Sequence, residues 1–246
     1  MQNNKINSLN FKNNKFLKLT VFLFPIVFIS LLILHKIMFG PGNISYFTFL
    51  DEDGPVEYAT VMFSFLSVFL STIVAINFIK IKKKTFALLY FVLSASLFFV
   101  GFEEISWGQR VFLEDTPEFF SDNLQNEMTF HNLPKIQNIV FLGYFLVGIF
   151  GSFFWIFISK LKKSKYKNLA KAIIPQRFLM SYFVPIFLFV GMLSIRSFRI
   201  ITPDELWFDM FHWRDMEAIE FILAMGIFLF VLSKILEFKT NIPACK

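Results

Sequence analysis

The sequence predicts an all-α, polytopic membrane protein with six transmembrane helices and two short interfacial helices on its outer side. Three observations carry that expectation. The 246 residues are 56% hydrophobic and only 17% charged, too apolar for an ordinary soluble domain. The apolar residues fall into blocks of about twenty, the length a helix needs to cross a ~30 Å hydrocarbon layer. Between the blocks the charges alternate in sign. Of the 24 basic residues, 18 sit in the N-terminal tail, at Lys80 to Lys84, at Lys160 to Arg177, or from Lys234 onward, whereas 17 of the 18 acidic residues lie in 51–57, 103–127 and 204–220.

Lysine and arginine bias sets the orientation of a polytopic chain. Both termini are therefore expected in the cytoplasm, and the loops 40–55, 106–137 and 196–215 outside. The chain reads as one integral domain of the cell membrane, with cytoplasmic tails at 1–16 and 237–246. The formal net charge of +6 then belongs to topology and to anionic lipid in the bilayer, not to nucleic acid. A lone Cys245 excludes an internal disulfide, and the N-terminal apolar run lacks a small-residue cleavage site, as expected of an uncleaved anchor.

The segments, in order, are 17–39, 56–79, 85–105, 138–160, 178–195 and 216–236. The first is apolar until His35 and Lys36, where the lysine is expected to snorkel to the headgroups. Gly40-Pro41-Gly42-Asn43 is a turn cluster. Asp53 or Gly54 caps the second segment, with Pro55 in its first turn and Glu57 where the helix dipole favours an anion. Leu133-Pro134 opens the fourth, in which Gly148 and Ser152 have the spacing of a close helix contact. Pro185 is a kink in the fifth, and Asp215 caps the sixth. The two interfacial helices are expected to start at Thr116-Pro117 and Thr202-Pro203. Each follows an arginine by the same interval (Arg110 and Arg196), which raises the idea of a duplicated two-helix unit.

The third segment ends in Gly101-Phe102-Glu103-Glu104-Ile105-Ser106-Trp107-Gly108-Gln109-Arg110. If the helix continues, Glu103, Ser106, Trp107 and Arg110 share one face, offering an internal Glu103–Arg110 pair, and Gly108 leaves room beside Glu104. Two adjacent carboxylates in a poorly hydrated place suit acid–base work or a shared cation. The candidate catalytic residues are Glu103, Glu104 and His131. Arg110, Trp107, Arg196 and Arg199 are candidates for gripping an anionic lipid headgroup or lipid-linked substrate. Glu57, Glu127, His212, Glu217 and Glu220 are candidate ligands of a divalent metal ion. All sit on the outward rim.

Glu103-Glu104 followed by Arg110, with Phe208-x3-His212, resembles the CAAX-protease-like family of membrane prenyl endopeptidases, which uses a Glu pair, an Arg and histidines around an activated water. The spacing departs: five residues separate the pair from Arg110 where the family has three, and its last His/Asn helix motif is absent. Separately, Gly101-x-Glu103-Glu104-Ile-Ser-Trp107-Gly108-Gln109-Arg110, Asn123-x-Gln125-x-Glu127 and His131-Asn132 resemble a group of bacterial multi-pass proteins over about residues 50–140. That likeness implies a polytopic protein and no particular activity.

Three functions fit the residues: a hydrolase or transferase acting on a lipid or lipid-linked substrate, a cation- or proton-coupled transporter or channel, or a non-catalytic subunit or sensor. A catalytic pocket requires Glu103, Glu104 and His131 to converge. A transporter needs a polar track beneath them. A partner surface leaves them splayed and exposed.

Overall fold

The computed structural model describes residues 14–51, 53–123, 125–161, 170–197 and 214–241, with the side chains of 159, 194–197 and 239–241 outside that description. Its helices are α1 (Lys15–Phe39), α2 (Ile44–Leu50), α3 (Pro55–Lys80), α4 (Lys84–Glu104), α5 (Gln109–Phe112), α6 (Pro134–Phe153), α7 (Trp155–Lys160), α8 (Met180–Ser197) and α9 (Asp215–Asn241). Six helical stretches are long and apolar enough to cross a membrane, which fits a multi-pass membrane protein. Large apolar side chains such as Ile37, Phe69, Leu88 and Ile139 point outward along them. In water those faces would be an aggregation surface; in lipid they are solvated.

α9 is the central post. Most of its apolar window is buried, whereas α1 is almost entirely peripheral. The core gathers Val74 of α3, Tyr182, Ile186 and Val190 of α8, and Ile222 and Val231 of α9. Helix starts follow the sequence: Pro55 and Pro134 each occupy the first turn of their helix, where a missing N–H costs nothing. α3 also carries a buried hydroxyl stripe (Thr60, Ser64, Ser67 and Ser71). Thr60, Ser67 and Ser71 donate to carbonyls one turn back in their own helix, so these hydroxyls are satisfied where they stand.

Two local expectations are revised. Thr116 does not cap a helix: its hydroxyl accepts from the Gln109 amide at 2.8 Å and donates to the Asn126 carbonyl, and the stretch after it holds only a 3-10 turn, Glu118–Phe120. A short helix between the first two long ones is α2, capped by Asn43; the expected helix start at Thr202-Pro203 lies outside the described residues. Lys36 does not snorkel. It is 3% exposed and its Nζ lies 2.7 and 2.6 Å from the two oxygens of Asp215, pinning α1 to the start of α9.

The Gly148 expectation stands, with Gly151 added. A Cβ on Gly148 would lie 2.8 Å from the Phe187 backbone nitrogen, whereas one on Gly143 would meet nothing within 4 Å. Gly148→Ala should therefore destabilise the α6–α8 contact by about 1–3 kcal/mol, while Gly143→Ala on the same helix should not. Thermal melting in detergent checks the pair; equal melting temperatures would deny the close contact.

Candidate functional site

The cavity at the rim is made by the places where helices stop. α4 ends at Glu104 because Ser106, Trp107 and Gly108 take φ of +48°, +55° and +87°, a left-handed turn that breaks the helical face expected across this decade. Two non-glycine residues there cost on the order of 1 kcal/mol each, so the surroundings must hold them. Ser106 Oγ donates to Glu127 Oε2 at 2.7 Å, and Trp107 Nε1 donates to Glu103 Oε1 at 2.5 Å. The indole also stacks on Phe102, so it braces the turn. Gly108 does not make room beside Glu104; it supplies the positive φ, and a Cβ there would meet the Phe112 ring.

The loop returning from this turn is stitched by amides. Gln109 Oε1 accepts from Met128 N at 2.6 Å. Asn123 donates to the Thr129 carbonyl at 2.7 Å and accepts from Gln125 N at 2.8 Å. These contacts explain the Asn123-x-Gln125-x-Glu127 pattern: the asparagine folds the loop so that Glu127 faces inward.

Arg110 and Glu103 are the two anchors. Arg110 Nη2 donates to Glu57 Oε1 at 2.5 Å and to the Glu104 carbonyl at 2.7 Å, and its guanidinium lies 3.4 Å from Glu127 and 3.6 Å from Asp53. It therefore joins α3 and the loop through carboxylates and the end of α4 through the Glu104 carbonyl; the expected Glu103–Arg110 pair does not form. Glu103 is 4% exposed and spends itself on four donors: Trp107 Nε1, Phe130 N at 2.8 Å, His131 N at 3.0 Å and His131 Nδ1 at 3.1 Å. An ionised carboxylate only accepts, so this geometry assigns the ring hydrogen to Nδ1. No partner meets Nε2 among the described residues. Burial pulls the His131 pKa down, but the hydrogen bond to Glu103 and the nearby charges of Glu220, Glu103 and Glu127 outweigh it, and the pKa is raised above 6.5.

The cavity is also lined by Glu104, at the end of α4, and by Glu217 and Glu220, one turn apart at the start of α9. Their carboxylate oxygens lie within 4.8 Å of one another. The cavity has a volume of about 60 Å³ and is also lined by Glu57, Glu127, His131 and Tyr144. Seven residues named from the sequence (Glu57, Glu103, Glu104, Glu127, His131, Glu217 and Glu220) thus reach one cavity. The Arg196 side chain, Arg199 and His212 lie outside the described residues. Sequence reading missed Gln137 and Tyr144. They occur on α6 with Val140 and Phe141 at i, i+3, i+4 and i+7, all lining the cavity, a polar-tipped stripe visible in an otherwise apolar segment.

No protein-family model, curated protein or solved structure matches the chain.

Proposed function

We propose that the chain is a membrane-embedded hydrolase or transferase acting on a lipid or lipid-linked substrate, with His131 as its general base. The observation that carries this reading is the His131–Glu103 pair: an imidazole held at Nδ1, with Nε2 unpartnered, in a carboxylate-lined cavity at the end of six membrane-length helices. Nε2 takes the proton of a water or acceptor hydroxyl, Glu103 stabilises the imidazolium, and the proton passes to the leaving group. A lipid substrate is supported by the loop after Arg110, where Val111, Phe112 and Leu113 are exposed together, Leu113 at 90%. Such an edge suits the boundary between headgroups and acyl chains.

The transporter reading lacks its track. No Asp, Glu, Lys, Arg or His lies between Glu57 and Lys80 of α3, between Lys84 and Glu103 of α4, or between Glu220 and Lys234 of α9. The α3 hydroxyls of Thr60, Ser67 and Ser71 are tied to their own backbone. A partner surface would leave the acids exposed, whereas Glu57, Glu103, Glu104 and Glu127 are buried. The lysines and arginines concentrated toward the opposite helix ends support placing this rim outside the cell membrane, with both termini cytoplasmic.

The test is lipid profiling of cells lacking the chain and complemented with wild type, His131→Ala or Glu103→Gln. His131→Ala should lower turnover by about 10²–10⁴-fold and reproduce the profile of the empty strain; a profile matching wild type sinks the reading. With the purified enzyme, only the neutral imidazole accepts a proton. The rate should therefore climb with pH through a midpoint above 6.5, and Glu103→Gln should move that midpoint down by removing one of the charges that raise it.

A further inference from the structure

The acids lining the cavity fall into two groups. Arg110 answers Glu57 and Glu127, and His131 answers Glu103. Glu104, Glu217 and Glu220 form a second group of carboxylates close to one another, in which Tyr144 hydrogen-bonds Glu220. Glu104 is decisive among them. It is 9% exposed, it lines the cavity, and no hydrogen-bond donor reaches its carboxylate among the described residues; its one bond is made by the backbone carbonyl, to Arg110. A buried carboxylate without donors is costly, and here it faces two more acids across a space large enough for solvent.

We propose that Glu104, Glu217 and Glu220 bind one hard divalent cation of the Ca²⁺, Mg²⁺ or Mn²⁺ class. Oxygens within 4.8 Å of one another match donors around an ion at about 2.4 Å, the Ca²⁺ bond length, and need to close by a few tenths of an ångström for Mg²⁺ at about 2.1 Å. The oxygen donors lining the cavity include carboxylates and the side-chain amides of Gln125, Asn132 and Gln137. Among the described residues no thiol lines the cavity, and the one lining histidine is tied at Nδ1 to Glu103, so the set suits an oxygen-loving ion and not zinc. The cavity leaves room for coordinated water besides the ion. Glu217 and Glu220 come from α9 and Glu104 from α4, so the ion also clips two helix ends together. The assignment rests on the proposed function only for its chemistry: an ion there lowers the pKa of the water that His131 deprotonates. The binding itself stands apart.

The experiment is titration of Mn²⁺, and separately Ca²⁺, into the chelator-stripped full chain in nanodiscs, read by calorimetry and by Mn²⁺ electron paramagnetic resonance. The expected result is one site per chain, with a rise in melting temperature. Glu104→Gln and Glu220→Gln should each weaken binding beyond the roughly 10–100-fold that losing a hydrogen-bond partner behind a ligand costs, while Glu114→Gln, remote from the cavity, should not. Wild type that binds neither ion, or a Glu104→Gln/Glu220→Gln double variant with unchanged affinity, overturns the proposal. The wild-type measurement needs no variant to fold, and no lipid is present. Ion binding with a silent His131→Ala lipid profile would sink only the hydrolase reading; a changed profile without ion binding would sink only the metal site.

Discussion

Arg110→Met is expected to destabilise the protein by about 3–5 kcal/mol, the cost of breaking a buried ion pair from one side. The guanidinium side chain is 18% exposed and Glu57 only 8%. Removing the cation leaves Glu57 and Glu127 facing each other across the rim with their charge unanswered, and it strips the Glu104 carbonyl of the donor that closes α4. Methionine keeps the bulk of the stem, so the loss is electrostatic and not a cavity. At 2–4 °C per kcal/mol for a chain of this size, the melting temperature should fall by roughly 6–20 °C. Glu57→Gln in the same background should recover part of it, because the orphaned acid is then neutral; a double-mutant cycle in detergent measures that coupling. A single variant that melts with wild type would mean that Arg110 is dispensable to the rim, and that its place among three acids does not hold α3 to the loop.

How much of this was legible beforehand depends on what kind of signal each part leaves. The six spans were readable because lipid demands a contiguous apolar block, a requirement met within each segment and independent of its neighbours. The acids of the cavity were readable because charge at the edge of such a block is expensive and stands out. The partnerships were not. Glu103 and Arg110 sit at helical spacing in a sequence that gives little warning of the left-handed turn at Ser106 and Trp107; once the helix breaks, Arg110 swings to Glu57, fifty-three residues earlier, and Glu103 turns to His131. Propensity at Thr116-Pro117 favours a helix start, but the hydroxyl was claimed by Gln109 and Asn126 through tertiary contacts. Lys36 looked like a snorkelling lysine because its carboxylate partner lies 179 residues away.

That long-range pair yields the second large effect. Asp215→Ala should cost about 3–5 kcal/mol, since it takes from Lys36 the carboxylate that grips its ammonium at 2.6 Å and from Tyr46 the acceptor of its phenol. Both partners are almost wholly buried, so water cannot readily replace what is lost. The consequence for function follows from position: Asp215 begins α9, and Glu217 and Glu220 are its next carboxylates on that helix. Freed from α1 and α2, the first turn of α9 should loosen, and cation affinity should fall although no ligand has been touched. Lys36→Met with Asp215→Leu separates the two effects. Replacing both charges by apolar groups of similar size should restore stability to within about 1–2 kcal/mol of wild type, because a buried pair is often no better than good packing. If cation binding returns with stability, the network acts by holding α9 in register with α4. If stability returns and binding does not, the Asp215 charge itself contributes to the field at the ion, and the two terms can be read from one pair of variants.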